Sequence, residues 1–227
     1  MSNSDVLAPS FLDALVLRGY YKRLDRLLLR ECPRLRGSLV ESVQRAALQL
    51  VEDQRHLVVD KASKSHLVLT STILATYRAL RADDETSGPA LRWVTDLFVD
   101  TGKGTSKLGA GLIPYLVRDP FRLMVNISKT KQLAYYGQSF DYELAEDTDD
   151  VFVLKVHRCF YHSYFVRNGA PELGAMFCLK DNSWADALDA SKVGFRFERP
   201  TTLARGGTCC PRVASPAPAR EPDYQHP

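Results

Sequence analysis

No stretch of this 227-residue chain is apolar for long enough to cross a bilayer. The longest, Leu108 to Val117, covers about ten residues, where a spanning helix needs about 20. Met1 to Pro9 has neither a basic leader nor an apolar core, so no secretory signal is expected. A C-x-x-C pair is absent, as are G-x-S-x-G, G-x-x-x-x-G-K-[ST] and G-x-G-x-x-G. Compact zinc sites, serine hydrolases and nucleotide-binding loops therefore lack their signatures. Charge of one sign is also scarce. The net charge is +3, with acids and bases mixed along the chain, which gives no basic stripe for nucleic acid. Cysteine is sparse and odd in number, at five. A chain of this size does not need disulfide staples, so the expectation is reduced thiols in a cytoplasmic protein.

What is present reads as two halves of one α+β unit. Apolar residues at near-helical spacing predict helices over 10–30 (Phe11, Leu15, Leu17, Tyr21, Leu24, Leu28), 38–57 and 64–82. Ser87-Gly88-Pro89 starts a further helix over 90–99, because proline at the first helical position costs no donor. Gly102 to Gly111 holds four glycines and reads as a helix connector. Helical pattern resumes over 112–136, interrupted at Pro114 and Pro120. Phe140, Tyr142 and Leu144 then alternate with polar residues, and Val151 to Val156 follows an acidic turn, so the two segments predict an antiparallel ribbon. Short helices are expected over 160–167, 171–179 and 184–190, the last with Ser183 and Asp186 in capping-box spacing. A strand is expected over 194–199, with 208–213 pairing to it. The predicted architecture is a helical half (1–136) packed on a small antiparallel sheet with short helices (137–213), followed by a Pro- and Ala-rich tail (214–227) that cannot bury a core.

Four of the five cysteines and two of the five histidines lie between residues 157 and 210. Thiolates and imidazoles attack carbon or hold soft metals. His157, Cys159 and His162 come where a strand gives way to a helix. If the strand runs through 159, His157 and Cys159 share a face. The plain alternative is a buried cysteine with two surface imidazoles. Cys178 and Asp181 lie where one helix ends and the next begins, and Asp181 serves equally as a helix cap. Gly206-Gly207 is a turn delivering Cys209 and Cys210, of which a strand can aim only one at a given face. His66 opens an apolar helix. Its polar run-up Ser63-Lys64-Ser65 favours a cap or surface role over an inward one.

The blocks Cys159-Phe160-Tyr161, Pro171-Glu172-Leu173, Phe177 to Asp181, Phe197 to Leu203 and Gly206 to Cys210 resemble, in order, the L-2-amino-thiazoline-4-carboxylic acid hydrolase family. His66 to Leu80 resembles its helical region, so the resemblance covers most of residues 60–212. It implies a small-molecule hydrolase in which water adds to an amidine-like carbon and a C–S bond breaks. By this resemblance Cys159, Cys178, Asp181 and Cys210 take the motif positions. Cys178 or Cys159 would be the nucleophile, His157 or His162 the base, and Asp181 an orienting partner. Arg199 or Arg196 would grip a carboxylate, with Thr202 and His66 as further substrate contacts. The chain departs from the pattern at Thr208, where the family tends to be acidic, and at Pro211-Arg212, where it tends to be aromatic. No cofactor is implied, and no nucleic-acid or membrane partner, while a homo-oligomer is compatible. Two other readings remain open. One is a zinc or iron isomerase or lyase of specialised biosynthesis using Cys159, Cys178, Cys210, His157 and His162 as ligands. The other is a non-catalytic binding protein. On the enzyme reading, Cys159→Ala, Cys178→Ala and Asp181→Ala should each abolish activity with the fold intact.

Overall fold

The computed structural model describes residues 11–99, 117–182 and 193–217. The expected glycine connector (102–111), the Pro114 break, the 184–190 helix with Ser183 and Asp186, and the tail from 218 onward lie outside them. Helix α1 (Phe11–Glu31) buries Tyr20, Leu24 and Leu28, one residue per turn. Leu15, placed on that face by spacing alone, is half exposed, because the stripe runs through Leu17 and Tyr21 instead. Helix α2 (Ser38–Asp53) buries Leu39, Val43, Ala47 and Val51 at i, i+4 spacing. It stops at Asp53, and a 3-10 turn, Arg55–Leu57, completes the segment read as helix to 57.

Helix α3 (Lys61–Arg81) is the central element and is buried nearly all round. Its sequence hides this, because Thr70, Ser71, Thr72 and Thr76 look polar. Thr70, Thr72 and Thr76 each hydrogen-bond the carbonyl four residues back at 2.8–2.9 Å, and Ser71 meets the Tyr164 hydroxyl at 2.9 Å. Buried hydroxyls that are satisfied in this way cost little. The helix begins at Lys61, three residues before the expected start, with Asp60 as its cap in a capping box. The Asp60 carboxylate accepts the Ser63 amide at 2.7 Å, and the Asp60 amide donates to the Ser63 hydroxyl at 2.9 Å. A cap role for His66 is thereby filled by other residues.

Short α4 (Asp84–Ser87) leads to α5 (Ala90–Val99), where Ser87-Gly88-Pro89 placed it. Helix α6 (Pro120–Lys131) starts with Pro120 in its first turn and Asp119 as cap. The chain then widens into a π-turn, Gln132–Tyr136, and a 3-10 turn, Gly137–Ser139. The Asp60 carboxylate also accepts the Gln138 amide at 2.6 Å, tying this junction to α3. Gly137 is required there. It sits at φ +67, and a Cβ would lie 2.3 Å from Asp60 Oδ2.

Strands β1 (Asp141–Asp147), β2 (Phe152–Arg158), β3 (Phe195–Glu198) and β4 (Cys210–Pro216) form an antiparallel sheet in the order β1-β2-β4-β3. Helices α7 (Phe160–Arg167) and α8 (Gly174–Asn182) lie between β2 and β3 in sequence. Phe152, Leu154 and Val156 point to the buried face of the sheet. One end of that face packs on Met124 and Val125 of α6, and the other joins the helical core. The expected tail boundary at 214 is corrected, since Ala214, Ser215 and Pro216 belong to β4. The prolines fit because β4 is staggered. Pro211 pairs only with β2 and Pro216 only with β3, so each lies where the strand is locally an edge and needs no second amide partner. Among the described residues no helix is long and apolar enough to cross a membrane.

Replacing Asp60 with alanine removes both the α3 cap and the Gln138 contact. Stability should fall by about 1–3 kcal/mol, read as a lower urea midpoint at unchanged m-value.

Candidate functional site

Asp181 ends α8 with its carboxylate turned inward. Its Oδ2 accepts Arg199 Nη2 at 2.5 Å and Arg212 Nη2 at 2.8 Å. Its Oδ1 accepts the Tyr136 hydroxyl at 3.0 Å. The Arg199 side chain is 4% exposed, Arg212 17% and Asp181 23%. Arg212 also lies over the Tyr136 ring, 5.2 Å from its centre. Four segments thus meet at one carboxylate: the end of α8, the residue after β3, the middle of β4 and the π-turn. Burial alone would raise the Asp181 pKa. The Arg212 and Arg199 charges and the Tyr136 hydrogen bond outweigh it and hold the group below the ordinary carboxylate range.

Three thiols lie in electrostatic range of one another, and Cys210 links them to this cluster. Cys159 caps α7 and lies in electrostatic range of Cys178 and Cys210, while Cys210 lies in range of Arg199 and Arg212. Burial pushes Cys159 up to about 12, against the pull of the His162 and Tyr161 amides. Burial also raises Cys210, whose sulfur accepts the Leu203 amide at 3.1 Å. Both are therefore thiols at neutral pH. Of the vicinal pair, Cys210 is the buried member, opposite Val156 on the inner face of the sheet, and Cys209 precedes the strand.

Cys159, Cys178, Cys210, Asp181 and Arg199 are therefore brought together. His157 is not. The strand ends at Arg158 and Cys159 turns into α7, so the face-sharing that depended on a longer strand is lost. His157 points outward, with its Nε2 2.7 Å from Glu143. Arg196 likewise faces solvent beside Ser215 and Glu198. His162 packs toward Gly174 and Ala204. Its Nδ1 is buried without a hydrogen-bond partner among the described residues, and burial lowers its pKa. Thr202 is buried with its hydroxyl similarly unpartnered.

His66 reverses the surface expectation, being 3% exposed inside a cage of Tyr135, Phe140, Phe160 and Tyr161. Its Nε2 lies 3.2 Å from the Tyr136 carbonyl, which can only accept, so Nε2 carries the proton. Nδ1 then accepts the Tyr161 hydroxyl at 2.9 Å. His66 thus braces Tyr136 and Tyr161 behind the ion cluster. Burial lowers its pKa to about 4.

Sequence reasoning missed Arg212, Tyr136, Tyr142 and Tyr161 as site residues. Arg212 did carry a signal, because it falls on the Cys210/Ala214 face of a strand, where an unpaired charge is costly. Tyr136 carried none. Among the described residues no three His, Cys, Asp or Glu side chains are grouped as a metal site requires. An open groove of about 800 Å³ between α1 and α2, lined by Leu17, Tyr21 and Val40 among others, contains none of these residues.

A protein-family model described as L-2-amino-thiazoline-4-carboxylic acid hydrolase matches residues 69–213. Comparisons with curated proteins and with solved structures returned no match.

Two outcomes follow from the geometry. Asp181→Ala strands two buried guanidiniums, so it should cost about 3–5 kcal/mol of stability rather than leave the fold intact, as denaturant unfolding would show. His66 titrates near pH 4 when folded and near 6.5 when unfolded, so between these values the unfolded chain holds the extra proton. Stability should fall by on the order of 3 kcal/mol as pH drops through that window, and His66→Phe should flatten the slope whatever it does to the midpoint.

Proposed function

The chain belongs to the L-2-amino-thiazoline-4-carboxylic acid hydrolase family, and we propose that it is a small-molecule hydrolase opening a C–S bond of a carboxylate-bearing, thiazoline-type ring. The observation that carries this reading is the buried set of two guanidiniums on one carboxylate, with Cys210 in electrostatic range of both guanidiniums and of the other two thiols. Two positive charges facing one negative charge favour a second anion, and a substrate carboxylate supplies it. Asp181 holds Arg199 and Arg212 in place. Its lowered pKa makes it a fixed anion and a poor base.

In the net reaction, a water oxygen adds to the ring carbon between nitrogen and sulfur. One water proton goes to the base and the ring sulfur leaves, taking up a proton as a thiol. For the aminothiazoline carboxylate the product is N-carbamoyl-L-cysteine. Of the two imidazoles expected as base, His162 is the inward one and is neutral at pH 7. We assign Cys178 as the attacking thiol: its sulfur first adds to the ring carbon, the ring sulfur leaves with the Cys178 proton as a thiol, and the water then adds to the same carbon and releases Cys178 as a thiol again. Cys159, held protonated, suits the role of a neutral hydrogen-bond donor. The reaction is assigned without a metal.

Turnover of L-2-amino-thiazoline-4-carboxylate, followed by thiol release, tests the assignment. Arg199→Lys should raise KM by about 10-fold or more, and Cys178→Ser should lower kcat by about 100-fold or more. Chelator should leave the rate unchanged. A wild-type chain without turnover, Cys159→Ser and Cys178→Ser variants that both keep the full rate, or activity lost to chelator and restored by zinc would each overturn it.

A further inference from the structure

Tyr142 stands on β1 opposite Val156 of β2, which in turn stands opposite Cys210 of β4. The three form one row on the inner face of the sheet, and Arg212, opposite Leu154, stands in the next row. The Tyr142 ring is fixed by stacking on Phe140, with centres 6.0 Å apart and planes at 11°, and by the tilted ring of Tyr136 at 5.9 Å. A register shift between Asp141 and Tyr142 interrupts the ladder at this residue, and irregularities of this kind re-aim a side chain. The hydroxyl ends in electrostatic range of Arg212, Tyr136, Cys159 and Asp181.

That hydroxyl is buried and finds no hydrogen-bond partner among the described residues. Arg199 Nε and Arg212 Nε, in the same neighbourhood, are orphaned in the same way. Leaving a buried polar atom unmade is unfavourable, and three at one place are hard to explain by packing. The two Nε–H groups can only donate. Burial raises the Tyr142 pKa well above its ordinary value, so the phenol keeps its proton and can donate too. The orphan set is therefore complementary to a ligand rich in acceptors.

We propose that the Tyr142 hydroxyl is a substrate contact, donating a hydrogen bond to an acceptor on the reacting end of the ligand whose carboxylate Arg199 and Arg212 hold. This rests on the carboxylate reading above and adds to it a second point of attachment, which fixes how the ring lies against Cys159. A donor held ready where charge develops on the ligand strengthens as the reaction proceeds.

The test compares full-length wild type and Tyr142→Phe by thermal unfolding, by equilibrium binding of L-2-amino-thiazoline-4-carboxylate and by its turnover. Deleting an orphan hydroxyl should leave the ligand-free Tm unchanged or raise it by about 2–4 °C, whereas Kd should weaken or kcat fall by about 10-fold or more. A lowered Tm would mark the hydroxyl as structural and overturn the proposal, as would wild-type Kd and kcat in the variant. If wild type binds the probe without turning it over, the hydrolase reading fails and the Kd ratio still judges Tyr142. If wild type does not bind the probe at all, both fall.

Discussion

Asp181 carries one charge against two, and the second half of the fold is arranged around that imbalance. Its carboxylate receives Arg199, Arg212 and Tyr136. These come from the chain after β3, from β4 and from the π-turn before β1. The sheet, α8 and the connection back to the helical half therefore share a single electrostatic junction. Buried ion groups of this kind are weak sources of net stability, because the cost of removing each charge from water is large. The fold accepts that cost, and thiols gather beside it. Energy spent on charge inside a core that aliphatic side chains could have filled is the pattern expected of a site rather than of a scaffold.

The support behind the junction is also polar. Tyr136 presents its hydroxyl to Asp181 and its carbonyl to His66, and His66 is fixed in one tautomer by that carbonyl and by Tyr161. Asp60 at the start of α3 reaches across to Gln138, just past the π-turn. The first turns of α3 thus set the position of Tyr136 through two separate contacts. Long α3 needs satisfied Thr and Ser side chains on its buried faces, and its N-terminal end supplies the brace. The helical half accordingly holds the site in place, and among the described residues it contributes none of the site's charged groups.

The order of elements was readable in the sequence because periodicity and punctuation are local. Ser87-Gly88-Pro89 located α5, and the alternation of Val151 to Val156 located β2. What escaped was decided at long range. His66 followed a polar run that looked like a cap, but capping had already been done by Asp60 and Ser63, which freed the imidazole to point inward. The proline of Ser215-Pro216 suggested a tail until the staggered pairing of β4 removed the need for its missing amide. Within the site, the cysteine blocks and Asp181 could be marked by residue type and spacing. His157 could not be separated from Cys159 without knowing that the strand ends at Arg158. Tyr136 acquires its role only through residues 45 and 76 positions away, a separation no local pattern records.

Arg212 stands on β4 two residues after Cys210, on the same face of the strand. Paired with Arg199 alone, Asp181 would make a neutral couple with no call for a further anion. Arg212 adds the second guanidinium, shares the same Oδ2 atom and lies over Tyr136, whose ring face offers partial compensation for the surplus charge. The positive character of the site thus enters through Arg212, on a strand position whose neighbours Cys210 and Ala214 are buried. A charge introduced on a buried strand face persists only if something offsets it. Asp181 offsets one of the two, and the remainder is what the site has available to hold an anionic ligand.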